Sequence, residues 1–379
     1  MPYAHIVSWG KYLPAKIVTN ADLTRSAGVD ADWITSRTGI EQRHIADPKE
    51  ATSDLAVRAA QAALEMADVP PTKVNLIIVA TSLPDHLFPA TACLVQDKLG
   101  ADHAAAFDLS AGCSGFVYAL VVADRFIRSG AYRFVLVIGA ETPSRILDWK
   151  DKGTCAFFGD GAGAVLLAAR QQLGGLRSFA LGADGSGGNL LIQPAGGTRQ
   201  PLSQEVLDRG LHYGRMDGQA LFRYGLRAMD RAAREALHNA GLTLADIDLI
   251  IPHQSNLQLL QQIGHKLKVP QEKVFVNVAH YANISAAAIP VAFCDAVEAD
   301  RLHPGDRVLL TTFGGGLTWA GAVWQWSEPY PEKPVPRWKR LWHILWNTQA
   351  AIKSWFYRLE HRLDTLRPEE DLLKKKKDS

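Results

Sequence analysis

The sequence of 379 residues is short of cysteine, of net charge and of long apolar runs. Its four cysteines, Cys93, Cys113, Cys155 and Cys294, are too scattered for a disulfide framework, and no two have the close spacing of a zinc site. No metal is expected. A formal net charge of +2 argues against nucleic acid as a partner, because phosphate binding calls for a strong basic face. No run of about 18 apolar residues occurs, so no transmembrane helix is expected. The opening MPYAHIVSWGKYLP lacks the basic region, apolar core and small-residue cleavage site of a signal peptide, and reads as a first strand. These absences together imply a cytoplasmic protein with free thiols.

What is present suits a layered α/β protein of two lobes, each able to bury its own core. Short runs rich in Val, Ile and Leu predict buried strands at Asn75–Ala80, Phe134–Gly139, Ala164–Ala168, Asp248–Ile251 and Arg307–Thr311. Helical patterns lie between them at Thr52–Ala67, Gly115–Ser129, Gln219–Ala240 and Ser285–Ala299. The chain also resembles itself. NLIIVATS (75–82) parallels DLIIPHQS (248–255), and in each half a small-residue loop opening a helix follows roughly 30 residues later. A further strand closes each half. The join falls near Ala169–Gly174, giving lobes 1–170 and 171–326 and a tail 327–379.

Three residues stand in positions suited to chemistry. Cys113 lies in Ser110-Ala-Gly-Cys-Ser-Gly-Phe116 directly before an apolar helix. Such a loop lets a substrate approach the backbone, and the positive end of the helix is expected to favour the thiolate. A buried core cysteine is the plainer reading, and Cys93, Cys155 and Cys294 fit it better. His253 follows a buried strand in Ile250-Ile-Pro-His-Gln-Ser-Asn256, where α/β sheets place ligands, although taken singly a structural histidine is the plainer reading. Asn283, in His280-Tyr-Ala-Asn-Ile-Ser285, is either a helix cap or a hydrogen-bond donor. In equivalent places of two similar halves they form a nucleophile with two donors. Phe313-Gly-Gly-Gly316 is either a plain tight turn or a source of backbone N–H groups for a developing oxyanion. Gly159-Asp-Gly-Ala-Gly163 does not fit G-x-G-x-x-G and precedes a strand, which excludes a dinucleotide site.

The tail is a different kind of segment, with 12 Lys/Arg against 8 Asp/Glu in 327–379, a net of +4. Pro329, Pro331, Pro334 and Pro336 make an extended linker. Beyond it Trp338, Trp342, Leu345, Ile352, Phe356, Leu359 and Leu363 recur at helical steps and line one stripe. Lys339, Arg340, Lys353, Arg358, Arg362 and Lys374–Lys377 surround it with positive charge. An aromatic, basic amphipathic helix suits an anionic membrane surface or an acidic partner. Docking of the stripe on the body of the protein is the other reading.

DADWITSRTGIEQRHIA (30–46), AGCSGF, FFGDGAGA, IPHQSN and FGGGLTWAGA (313–322), in that order, resemble the β-ketoacyl-ACP synthase III family. The resemblance covers about residues 1–326. It implies a thiolase fold, two similar lobes forming a five-layer αβαβα sandwich, and a homodimer. It implies that Cys113 is acylated, that His253 and Asn283 form a decarboxylation pair, and that Gly315 is an oxyanion donor beside the Cys113 amide. Trp33, Arg37 and Asn256 match coenzyme A positions, and Phe88 one at the acyl pocket near the dimer partner. Arg223 and Lys266 are the candidates for contact with the acidic carrier protein.

The chain departs from the family pattern in places. Tyr281-Ala282-Asn283-Ile284-Ser285 stands where His-Gly-Asn-Thr-Ser is common, and Lys152 where an arginine near the nucleotide is frequent. Gln258 replaces a basic residue that often meets the carrier.

The implied reaction needs no cofactor beyond the coenzyme A thioester that is its substrate. Acyl-CoA loads Cys113, and malonyl-ACP (acyl carrier protein) loses carbon dioxide to give an enolate that attacks the acyl group. A thiolase-fold acyltransferase, an acyl–acyl condensing enzyme and a non-catalytic partner subunit are the alternatives; retention of Cys, His and Asn favours condensation.

Overall fold

The computed structural model describes residues 1–329 and, beyond them, 342, 345, 346, 348–350, 352–356 and 359. Two sheets form its frame. The first is built from β1 (Tyr3–Tyr12), β2 (Leu76–Ala80), β3 (Ala105–Leu109), β4 (Phe134–Glu141) and β5 (Gly161–Arg170), in the spatial order β1-β5-β4-β2-β3. The second contains β6 (Gly175–Ala183), β7 (Leu249–Pro252), β8 (Arg307–Gly314) and β9 (Thr318–Gln325), in the order β7-β8-β9-β6. Read from the other end, the second order repeats the first. β6 and β9, then β9 and β8, are antiparallel, as are β1 with β5 and β5 with β4. β8 and β7 are parallel, as are β4 and β2. Where the first sheet adds β3, the second has a single parallel bridge between Ile250 and Val274.

Seven helices carry the argument: α1 (Ala31–Thr38), α2 (Thr52–Ala67), α3 (Thr91–Leu99), α4 (Gly115–Arg128), α5 (Gly218–Ala240), α6 (Leu257–Leu267) and α7 (Ala288–Glu298). Their patterns dictate their layers. α4 and α7 are apolar nearly all round, which suits helices enclosed between two sheets. One core accordingly joins Phe116 and Leu120 of α4, Ile289 and Phe293 of α7, Ile78 of β2 and Leu310 of β8. α2 is apolar on one stripe, and its Leu55, Ala59 and Ala63 cover the opposite face of β2 through Ile77 and Val79. α5 and α6 do the same for the outer face of the second sheet through Met229, Leu259 and Ile263. The result is the five-layer αβαβα sandwich.

The strand and helix patterns agree with the structure to within a few residues. Two differences have physical reasons. Ser285–Ala287 forms a 3-10 turn before α7, because Ser285 adopts a positive φ of 51° that an α-helix cannot contain. The edge strand β3 (AAFDL) has no continuous apolar run, because an edge is covered less completely than the centre.

In the tail, Pro331, Pro334, Pro336, Trp338 and Leu363 lie outside the described residues, as do Lys339, Arg340, Arg358, Arg362 and Lys374–Lys377. The described residues from 342 to 359 are helical. Among the described residues of the stripe, Trp342, Leu345, Ile352, Phe356 and Leu359 are exposed rather than packed on the body.

Candidate active site

Cys113 occupies the 3-10 turn Gly112–Ser114 at the entrance to α4, at the carboxyl end of the first sheet. Gly112 has a φ of 56°, and a Cβ there would stand 2.6 Å from Gly315 N. A Cβ on Gly314 would stand 2.4 Å from Cys113 N. Only glycine at both places lets the Phe313–Gly316 loop run against the cysteine turn, bringing the backbone of Gly315 beside that of Cys113.

The second lobe supplies the other two residues. His253 leaves the end of β7, with its N–H donated to Thr311 O at 2.9 Å and its ring edge-on to Phe313 at 5.8 Å. It is fully buried, and burial pushes its pKa down to about 4, so it is neutral at pH 7. Its Nδ1 has no hydrogen-bond partner among the described residues. Asn283 is held by Asn283 N–H to Phe157 O at 2.9 Å and by Gly159 N–H to Asn283 O at 3.2 Å. Its Oδ1 accepts from Ser285 N at 2.9 Å, which aims the amide and leaves its NH₂ for another acceptor.

The departures around Asn283 now have a geometry. Ala282 has φ 59° and ψ −161°, a region that glycine enters most easily, so the common glycine there is replaced at some backbone strain. Ile284 is buried against Leu13 and Val291, away from the site.

Two cavities meet at Cys113. The larger, about 860 Å³, is also lined by His253, Asn283 and Phe313, and reaches Trp33, Arg37 and Asn256. The smaller, about 320 Å³, is lined mainly by apolar groups such as Leu83, Ile146, Leu147 and Ile192. A thioester whose carbonyl lies at the junction has room for a long polar arm on one side and an acyl chain on the other.

The other expected residues divide. Trp33 and Arg37 share a face of α1 at the outer cavity, and Lys152 lies over the Trp33 ring at 5.4 Å. Asn256 caps α6 through Leu259 N at 2.8 Å, and Gln258 donates to Ser36 O at 3.3 Å. Arg223 lies exposed on α5 where the outer cavity opens. Lys266 does not line it; its ammonium is 4.0 Å from Asp230. Phe88 lines neither cavity of its own chain and is 86% exposed.

The expected thiolate at the helix entrance is not the resting form. Burial pushes the Cys113 thiol up to about 12, and Glu141 adds to the shift. Desolvation of the charge is the largest cause and exceeds the lowering by the Ser285 and backbone hydrogen bonds. The thiol donates to Ser285 Oγ at 3.5 Å. Ser285 in turn donates to Glu141 Oε1 at 2.9 Å. Glu141, at the end of β4, also accepts from Thr81 Oγ1 and Ser82 N, each at 3.1 Å. Burial raises its pKa to about 7. Sequence reasoning did not single out Glu141, Ser285 or Thr81. The available signal was a carboxylate closing an apolar strand, FVLVIGAE.

The chain has close relatives among known proteins. Residues 107–185 match the family described as 3-oxoacyl-[acyl-carrier-protein (ACP)] synthase III, and residues 237–326 match its C-terminal part. A β-ketoacyl-[acyl-carrier-protein] synthase III of Caldanaerobacter subterraneus subsp. tengcongensis is 48% identical over 325 residues, 86% of this chain and 98% of the relative. The crystal structure of 3-oxoacyl-[acyl-carrier-protein] synthase III from Aquifex aeolicus VF5 superposes with a TM-score of 0.79 at 41% identity. It covers 85% of this chain and 100% of that one. The Pseudomonas aeruginosa PAO1 enzyme of the same name gives 0.80 at 38% identity, covering 88% and 100%.

Proposed function

The chain belongs to the β-ketoacyl-ACP synthase III family, and from that premise we propose how its own residues divide the work. The reaction is a decarboxylative Claisen condensation of an acyl-CoA primer with malonyl-ACP, which makes the chain an acyltransferase of fatty-acid or related lipid biosynthesis. The observation that carries the assignment is the meeting of two cavities at Cys113, with His253 and Asn283 lining one and Ser285 and Glu141 the other.

In the first half-reaction Cys113 attacks the acyl-CoA carbonyl, and the amides of Cys113 and Gly315 receive the oxyanion. Because the resting thiol holds its proton, that proton leaves as the sulfur–carbon bond forms. It passes to Ser285 Oγ while the hydroxyl proton of Ser285 passes to the Glu141 carboxylate, which is ionised in a large fraction at pH 7. His253 is not bonded to the sulfur in this way. Coenzyme A departs as a thiolate and takes a proton from solvent.

In the second half-reaction His253 and Asn283 donate to the malonyl thioester carbonyl. As carbon dioxide leaves, the electron pair of the broken bond becomes an enolate held by those two neutral donors; a carboxylate there would repel it. The enolate carbon attacks the acyl-Cys113 carbonyl. Cys113 leaves as a thiolate and recovers its proton from Glu141 through Ser285, which restores the resting state.

Trp33, Arg37, Lys152 and Asn256 hold the coenzyme A arm on this reading, and Arg223 and Lys266 meet the acidic carrier protein. The unpaired edge of β3 among the described residues, together with projecting Leu87 and Phe88, supports a homodimer in which Phe88 completes the partner's acyl cavity. Free thiols fit a reducing cytoplasm, and the basic tail fits an anionic surface or acidic partner. The test of the chemistry is a mass measurement of acyl-Cys113 followed by carbon dioxide release on adding malonyl-ACP. Light scattering at the mass of a single chain would overturn the dimer.

A further inference from the structure

The tail helix is turned inside out relative to an ordinary docked helix. Its small residues face the protein: Ala350 and Ser354 are buried, and Ala350 Cβ lies 2.6 Å from where a Cβ on Gly100 would stand. Ser354 Oγ donates to Asp97 Oδ2 at 2.7 Å, and Lys353 pairs with Asp102. These contacts fix one face of the helix on the end of α3. Most of the large apolar residues described in this helix point the other way, Trp346 being half-buried between the two faces. Trp342, Leu345, Ile352, Trp355, Phe356 and Leu359 are 39–59% exposed. At 3.6 residues per turn they share an arc of about 140° opposite Ala350 and Ser354.

A docked helix gains most by turning its large apolar side chains inward, so an outward arc containing two tryptophans calls for a covering surface. The charge of the segment says which. Residues 327–379 carry 12 Lys/Arg against 8 Asp/Glu, with four lysines in a row at Lys374–Lys377. Two such tails would repel one another, whereas an anionic lipid surface attracts them. Tryptophan also suits the depth where headgroups meet acyl chains. No helix among the described residues is long and apolar enough to cross a membrane, so the fit is to a helix lying on the surface.

We propose that this helix lies in the plane of an anionic membrane surface, its outer arc set into the headgroup–acyl boundary and its Ala350–Ser354 face kept on α3. The enzyme is thereby held peripherally at the membrane. The proposal does not depend on the condensation chemistry, since none of the residues placed at the active site lies in the tail.

The experiment is co-flotation of the full chain with vesicles of phosphatidylglycerol mixed with phosphatidylcholine, beside vesicles of phosphatidylcholine alone. Binding is expected to the anionic vesicles only, and to weaken about tenfold or more between low and high salt as the charges are screened. Ile352→Asp with Phe356→Asp alters two exposed side chains and should reduce binding about tenfold or more, leaving acyl loading intact. Absence of binding by the full chain, or binding that this variant leaves unchanged, would overturn the proposal. So would a self-association of the full chain that the variant abolishes, since a second copy would then cover the arc.

Discussion

Ser285 donates its hydroxyl hydrogen to Glu141 across 144 residues of sequence, and the same hydroxyl accepts from the thiol of Cys113. The three residues form a directed chain in which each group has the polarity needed to hand a proton inward. Only the carboxylate can keep it, and burial holds that carboxyl near neutrality, where it can both accept and return a proton.

The first prediction concerns pH. The Glu141 carboxylate is the proton acceptor, and its pKa is about 7, so the rate of acyl loading should rise as pH rises through that value. Glu141→Gln keeps a hydrogen-bond acceptor for Ser285 but cannot take the proton. It should slow acyl loading by about 10²–10⁴ and flatten the rise near pH 7. Stopped-flow loading measured from pH 5 to 9 decides: an unchanged profile in the variant would remove Glu141 from the proton path.

The two half-reactions should separate by mutation. His253→Ala and Asn283→Ala should each lower carbon dioxide release from malonyl-ACP by about 10²–10³ while acyl loading of Cys113 persists. Labelled malonyl-ACP reports the first quantity and intact mass the second. Loss of loading with normal decarboxylation would reverse the assignment.

The oxyanion geometry rests on a close approach. Gly314→Ala puts a methyl group 2.4 Å from Cys113 N, so either the cysteine turn or the Gly315 loop must move. Acyl loading should fall about a hundredfold or more, the size of one lost oxyanion donor. Single-turnover loading, with circular dichroism to verify the fold, would show it; normal loading would mean that the Gly315 amide is not needed.

Much of this was legible in the sequence because it is written locally. Cys113 follows a small-residue loop and precedes an apolar helix, and His253 follows a buried strand. The parallel between NLIIVATS and DLIIPHQS reappears as the shared strand order of the two sheets. What could not be read depends on contacts between distant segments. Glu141 and Ser285 are ordinary residues until the fold brings β4 against the turn before α7. The thiol's resting proton is hidden for the same reason: the helix end is a local feature, whereas the burial that raises the thiol exists only in the folded site, where Ser285 of the second lobe meets the sulfur. The tail's stripe was visible from its period, but its outward orientation is decided by Gly100 and Asp97, some 250 residues away.

The acyl group passes through one sulfur atom in both half-reactions of the proposed cycle, so the most direct test is the intact mass of the protein after incubation with a short acyl-CoA. The wild-type chain should gain the mass of one acyl group on the peptide containing Cys113, and the gain should vanish when malonyl-ACP is added. Cys113→Ala should gain none, with its fold retained. A Cys113→Ala protein that still acquires the acyl group, or a wild-type protein acylated at another residue, would contradict the account.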